Sequence, residues 1–138
     1  MAAKDIFHDA VKHALKKGGW TITHDPFFLS FGGVNMYVDL GAERIIAADR
    51  GDEKIAVEVK SFVGPSATTE FNFALGQFLK YQLALEEEHP ERVLYLAVPV
   101  DAEREFFRLE LPRRLIERYN VRLLIYDPEE EVIVKWQT

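Results

Sequence analysis

Cysteine is absent from the 138-residue chain, which excludes disulfide bonds, thiolate metal sites and a cysteine nucleophile. Positive charge is also scarce. The chain has 17 Lys and Arg residues but 23 Asp and Glu residues, so its formal net charge is −6. This balance excludes a protein that binds nucleic acid through its overall field, but it leaves room for a local or metal-bridged site. The chain has neither an apolar run of the roughly 18 residues that a membrane span needs nor a signal-peptide pattern near its start, so we expect a cytoplasmic protein.

The order of the hydrophobic patterns predicts one α/β domain over residues 1–138, with a mixed sheet and helices on both faces. An amphipathic helix over Ala3–Lys17 comes first, and a strand-rich region that contains a three-strand meander follows from Trp20 to Phe62. A long helix over Thr68–Glu88 leads to a continuous apolar run, Arg92–Pro99, of the kind that forms a strand covered on both faces. The predicted order of elements is α-β-β-β-α-β-α-β-β.

Turn residues and prolines predict how some of these elements meet. A short Gly-containing turn separates Arg44–Ala48 from Lys54–Phe62, so these two strands are expected to form an antiparallel hairpin. A further strand is predicted over Asn35–Leu40, directly before the hairpin. The helical pattern of Asp101–Tyr119 contains Leu111-Pro112, which predicts an interruption of the helix at that point.

The strand that begins at Ile55 carries two charged residues in an otherwise apolar segment. Because successive side chains point to opposite faces of a strand, Glu58 and Lys60 share one face, and Val57 and Val59 share the other. Two charged groups in such a place are costly unless they are paired or solvated. This cost makes Glu58-Val59-Lys60 the most informative segment of the chain.

Asp39 is a second acid, in the strand predicted upstream of the hairpin. If the chain folds back, Asp39 approaches Glu58, and two converging carboxylates repel each other unless a cation neutralises them. Mg²⁺, or Mn²⁺ in its place, is the natural cation for such oxygen ligands. Lys60 would then lie beside the metal, where an ammonium group stabilises developing negative charge or orients a water. This pattern predicts metal-assisted hydrolysis of a phosphodiester, with Asp39 and Glu58 as metal ligands.

Asp39 with Glu58-Val59-Lys60 resembles the PD-(D/E)xK signature of restriction-endonuclease-like nucleases, although Val38 stands where the signature has proline. The predicted order of elements resembles the core of that superfamily as well. Gln77-Phe78-Leu79-Lys80-Tyr81 is similar to the QxxxY motif of its RecB-like branch, and residues four apart lie on one helical face. The resemblance implies an endonuclease-like fold and a Mg²⁺-dependent endodeoxyribonuclease.

Two further acids compete for roles in such a site. The resemblance implies that an acid of the first helix joins the catalytic residues, and Asp9 is the residue in that position. Asp49 is the alternative to Asp39 as first metal ligand, since it precedes Glu58 by nine residues. Asp39 is preferred because Asp49 adjoins the turn Arg50-Gly51-Asp52, where acids are common for conformational reasons alone.

Nearly the whole chain resembles the XisH family, the fdxN element excision controlling factors of cyanobacteria. The segments that carry the resemblance are Phe31–Glu43, Ile55–Phe62, Ala74–Phe78 and Leu94–Pro99. The resemblance implies control of programmed excision of a DNA element, together with a site-specific recombinase and an XisI-type partner protein. A homodimer is a further expectation, because symmetric dimers are common among soluble oligomers.

Three functions therefore follow from the sequence. The first is a Mg²⁺-dependent endonuclease-like protein that acts on DNA through Asp39, Glu58, Lys60, Gln77, Tyr81 and Asp9. The second is a non-catalytic accessory factor that keeps the nuclease fold and binds the recombinase or the XisI-type partner, which an acidic surface suits. The third and weakest is an antiviral toxin or defence module with the same fold.

Overall fold

A six-stranded mixed sheet forms the centre of the part that the computed structural model describes, residues 6–35 and 45–138. Its strand order is β1-β4-β5-β6-β7-β8, and β2 and β3 form a separate two-stranded sheet. The described strands are β1 Thr21–His24, β2 Ser30–Phe31, β3 Val34–Asn35, β4 Ile45–Arg50, β5 Glu53–Val59, β6 Val93–Pro99, β7 Leu123–Asp127 and β8 Val132–Gln137. The described helices are α1 His8–Lys17, α2 Ala67–Glu88, α3 Val100–Ala102 and α4 Glu110–Arg118, with one turn of π-helix over Glu103–Phe107.

The three central strands β5, β6 and β7 are parallel, and the outer pairs are antiparallel. Parallel strands need crossover connections, which α2 provides between β5 and β6 and the α3–α4 region provides between β6 and β7. Both crossovers pack on one face of the central strands and α1 covers the other, as the apolar runs of β6 and β7 predict. The predicted mixed α/β sheet with helices on both faces is confirmed.

Each face of the sheet has its own apolar core. One core contains Ala56 of β5, together with Phe71 and Phe78 of α2 and Ile116 of α4. The other contains Val57 of β5 and packs beneath α1, which contributes its buried residues Val11 and Leu15. Consecutive residues of β5 thus enter different cores, which is the alternation expected of a strand covered on both faces.

The predicted long helix is confirmed as α2, which begins one residue earlier than its sequence pattern indicates. Ser66 precedes the helix in extended conformation, and its hydroxyl oxygen accepts a hydrogen bond of 3.2 Å from the backbone N–H of Thr69. This cap satisfies one of the amide groups that a helix start leaves without a partner. His89 and Pro90 end the helix as predicted, since proline cannot continue it.

The predicted hairpin is confirmed, and its register fixes which end of each strand lies beside which. β4 and β5 are antiparallel, with Ile45 opposite Glu58 and Asp49 opposite Lys54. The turn between the strands contains Gly51, which has a positive φ of 60° that glycine adopts without strain. Glu58 therefore lies at the open end of the hairpin and Asp49 at the turn.

Two details differ from the sequence-based expectation. The helical region after β6 is interrupted at Arg108 and Leu109, before α4, and not at Leu111-Pro112. Pro112 is the third residue of α4. The N–H groups of the first turn have no acceptor within the helix, so a proline there costs no helical hydrogen bond. Val34–Asn35 pairs with Ser30–Phe31 in a small hairpin that the sequence did not predict, and the rest of the strand expected over Asn35–Leu40 lies outside the described residues.

Within the described ranges, every helix is too short or too polar to cross a bilayer.

Candidate active site

Glu58 and Lys60 lie at the carboxyl end of β5, on the face that α2 covers. Ala56, two residues before Glu58, belongs to the core beneath α2, and the predicted alternation of the strand is thereby confirmed. Glu58 is completely buried and Lys60 is 8% exposed. Burial of charged groups in an apolar layer is costly, so this pair is not an ordinary surface feature of a sheet.

Backbone hydrogen bonds hold Lys60 from both sides, just beyond the end of β5. Its N–H donates to the carbonyl of Ala97 in β6 over 3.0 Å, which continues the parallel pairing by one residue. Its carbonyl accepts a hydrogen bond of 3.1 Å from the buried Tyr126 hydroxyl of β7. The Tyr126 ring meets Phe7 edge to face, with 6.2 Å between the centroids. The strands β6 and β7 thus fix the position from which the Lys60 side chain leaves the sheet.

The Lys60 side chain reaches α2, where its Nζ lies 4.9 Å from the centroid of the Phe73 ring. Phe73, Gln77 and Tyr81 are four residues apart and share one side of the helix. Gln77 and Tyr81 are buried, and Gln77 Nε2 donates to the Tyr81 hydroxyl over 3.2 Å. The structure therefore brings Glu58, Lys60, Gln77 and Tyr81 to the same face of the sheet.

Asp49, the alternative first acid, lies at the turn of the hairpin and faces two cations. Lys54 Nζ is 2.9 Å from its Oδ2, and Arg92 Nη1 is 3.0 Å from its Oδ1. The hydrogen bond from Lys54, together with Arg92, lowers the pKa of the Asp49 carboxyl below its ordinary value, against the opposing effect of burial. Asp49 and Glu58 are separated by four residues of paired strand, which is roughly 13 Å. One metal ion cannot bridge that distance.

The remaining predicted acids are Asp39 and Asp9. Asp39 lies outside the described residues, six positions before the start of β4 at Ile45. Asp9 lies in the first turn of α1 and is exposed, and α1 packs on the face of the sheet opposite to α2. The structure does not place Asp9 on the face that holds Glu58.

Comparison with known proteins assigns the chain to a family. The model of the XisH family, described as XisH protein, matches residues 1–134. The chain belongs to the XisH family. A crystal structure of an XisH family protein from Nostoc punctiforme PCC 73102 is 52% identical, has a TM-score of 0.89 and covers 97% of this chain and 100% of that one.

A second solved structure, a fdxN element excision controlling factor protein from Anabaena variabilis, is 51% identical with a TM-score of 0.88. The match covers 96% of this chain and 98% of that one. No curated protein matches the chain. The resemblance to the XisH family that the sequence predicts is therefore confirmed, and so is the similarity of fold over almost the whole chain.

The donor chemistry of this XisH family site fits Mg²⁺ only if a second acid joins Glu58. A carboxylate is a hard oxygen ligand of the type that Mg²⁺ prefers. In residues 6–35 and 45–138, however, no cluster of three or more His, Asp or Glu side chains could hold a metal ion. The acid that the sequence pattern pairs with Glu58 in such a site is Asp39, which lies outside the described residues.

Two residues that support Lys60 were not found from the sequence. Phe73 lies four residues before Gln77, so an extension of the Gln77/Tyr81 spacing by one step would have identified it. Tyr126 is 66 residues away from Lys60 in the chain, and its contact depends on the neighbouring positions of β6 and β7. No local signal in the sequence indicates that pairing.

Proposed function

We propose that this XisH family protein is a Mg²⁺-dependent endonuclease-like factor that controls programmed excision of a DNA element. The observation that carries the proposal is the burial of Glu58 and Lys60 on one face of β5, beneath the helix that presents Gln77 and Tyr81. That combination supports a restriction-endonuclease-like core of the PD-(D/E)xK type. The relative from Anabaena variabilis, a fdxN element excision controlling factor protein, supports the excision role.

In the proposed reaction, water adds to a DNA phosphorus atom, the P–O ester bond breaks and the leaving oxygen takes up a proton. Mg²⁺ bound by Asp39 and Glu58 would supply Lewis-acid activation of the phosphodiester and of the attacking water. Lys60 places its ammonium group beside the charge that develops on phosphorus, and the bonds to Ala97 and Tyr126 keep it there. Gln77 and Tyr81 shape the wall of the cleft.

Cleavage of supercoiled plasmid and of branched DNA, with Mg²⁺ or Mn²⁺, tests this proposal. Glu58→Gln and Lys60→Met should each lower the cleavage rate at least about a hundredfold, because each removes a group that acts on the reacting phosphate. Lys54→Met, at the other end of the same hairpin, is the matched control and should cleave like the wild type. Absence of cleavage with either metal, or equal rates for wild type and Lys60→Met, would contradict the proposal.

A second function is favoured by the complete burial of Glu58. A phosphodiester needs access to its metal ligands, and a carboxylate without solvent exposure suits a nuclease fold retained for binding. In this alternative the protein is a non-catalytic accessory factor that binds the site-specific recombinase or an XisI-type partner. Lys60→Ala would then leave excision in cells and co-purification with the partner unchanged, whereas the nuclease proposal predicts loss of excision.

A further inference from the structure

A groove runs along the outer side of α2, next to the candidate active site. It has a volume of about 330 Å³ and is lined by Asn72, Phe73, Gly76, Gln77 and Lys80. We call it the α2 groove. Gly76 has open space on its side-chain side, since a Cβ at that position would meet no atom of the described residues within 4 Å. The backbone of α2 is thus accessible to a ligand at the middle of the groove.

Phe73 connects the α2 groove to Lys60. The Phe73 ring is 46% exposed, although Lys60 Nζ lies 4.9 Å from its centroid. An exposed aromatic ring beside a lysine is a platform on which a nucleobase stacks while its phosphate lies near the cation. A molecule that occupies the groove would therefore also reach the end of β5, where Lys60 and Glu58 are located.

The charge and hydrogen-bonding groups of the α2 groove suit a nucleotide. Lys80 provides positive charge, and none of the described lining residues is a carboxylate, although the whole chain has a net charge of −6. Gln77 is 5% exposed, and its Oε1 has no hydrogen-bond partner among the described residues. A buried acceptor in that state destabilises the protein. A donor such as the amino group of a base would relieve that cost.

We propose that the α2 groove binds unpaired nucleotides, with a base stacked on Phe73, a phosphate near Lys80 and a base edge directed at Gln77. The bases of an intact duplex already stack on each other, so an exposed ring selects single-stranded or locally opened DNA. This inference rests on the proposed function and names its substrate class: DNA with unpaired bases next to the phosphodiester at Lys60.

Fluorescence anisotropy with a labelled 20-nucleotide single strand and the matching blunt duplex tests the inference, in EDTA so that no cleavage occurs. The single strand should bind more tightly than the duplex. Phe73→Ala should weaken single-strand binding about tenfold, and Phe73→Tyr should preserve it, because stacking needs an aromatic ring. Lys80→Gln should reduce the slope of log affinity against log salt by about 0.7, the value for one phosphate contact on a single strand. Leu83→Ala, on the same helix but outside the groove, is the control.

The inference is overturned if the duplex binds as well as the single strand, if Phe73→Ala binds like the wild type, or if neither DNA binds. Its failure is distinguishable from failure of the nuclease proposal. If cleavage depends on Lys60 but is unchanged in Phe73→Ala, the nuclease function stands and the α2 groove has no part in it. Phe73-dependent binding of single strands without cleavage under any metal would support the groove and contradict nuclease activity.

Discussion

The two ends of the β4–β5 hairpin carry charged residues in contrasting surroundings. At the turn, Asp49 accepts hydrogen bonds from Lys54 and Arg92, and its carboxylate is partly exposed. At the open end, Glu58 and Lys60 lie in the apolar layer beneath α2, with exposures of 0% and 8%. Both ends belong to the same pair of strands, so sequence and register alone do not distinguish their roles.

The charged residues at the two ends are expected to affect stability in different ways. At the turn, Arg92, the residue before β6, bonds to Asp49 and also to the carbonyl of Ile55 over 3.0 Å, so it joins the start of β6 to both strands of the hairpin. Replacing a buried charged pair with apolar residues of similar size is often neutral or stabilising, so we propose that Glu58 and Lys60 are retained for function. We therefore expect opposite effects on stability from substitutions at the two ends.

Arg92→Met gives the largest expected effect. The Arg92 side chain is 7% exposed, and its removal takes one of two cationic partners from Asp49 and a side-chain donor from the Ile55 carbonyl. Loss of one partner from a buried charged contact costs about 3 kcal/mol. Urea denaturation should show this decrease in the free energy of unfolding, whereas Arg118→Met at the exposed end of α4 should change it by less than about 0.5 kcal/mol. Equal effects at both positions would contradict a structural role for the turn.

The double substitution Glu58→Met and Lys60→Met should have the opposite sign. It replaces two buried charged side chains with apolar ones of similar length, which is commonly neutral or stabilising by about 1–3 kcal/mol. The same urea titration measures the effect, and the double variant should show no cleavage activity. A loss of stability greater than about 1 kcal/mol would mean that the open end of the hairpin is structural too, and the contrast between the ends would fail.

Tyr126→Phe tests the support of Lys60 with a smaller change. The substitution removes only the hydroxyl that donates to the Lys60 carbonyl, and a buried hydrogen bond of this kind contributes about 1 kcal/mol. If Lys60 acts on the phosphate, the cleavage rate should fall by a larger factor than the substrate Kd rises. The substitution disturbs the position of the Lys60 ammonium group and leaves the contacts that bind DNA in place. If the cleavage rate is unchanged while the free energy of unfolding falls as expected, Tyr126 supports the fold and not the position of Lys60.

Acid stability provides the smallest expected effect. The folded-state pKa of Asp49 is below its ordinary value of 3.8, so the unfolded chain binds more protons as the pH falls through 3.8. The stabilisation is therefore complete above about pH 5 and is lost progressively below pH 4. Asp49→Asn should show a shallower decrease of Tm between pH 5 and pH 3 than the wild type. Identical slopes would contradict the pairing at the turn.

The alternation of strand residues made the centre of the candidate site predictable. The faces of Glu58 and Lys60 follow from a period of two, and the hairpin register follows from its short turn. Gln77 and Tyr81 follow from helical spacing in the same way. These predictions needed only neighbours within a single element or a single turn.

The remaining features depend on residues that are far apart in the sequence. Arg92 is 43 residues from Asp49, and their contact decides that Asp49 is structural. The two-residue strands β2 and β3 are too short to show an alternating pattern, so the hairpin they form was missed. The π-helical turn over Glu103–Phe107 was also missed, because helical periodicity does not distinguish the two helix types at this length.

A crystal soaked in Mn²⁺ tests most directly whether the open end of the hairpin is the active site. We predict an anomalous density peak in contact with the Glu58 carboxylate, and loss of that peak in Glu58→Gln crystals prepared in the same way. The Asp49 carboxylate should show no peak, because Lys54 and Arg92 already occupy its oxygens. Density at Asp49, or none at Glu58 under saturating Mn²⁺, would contradict the account.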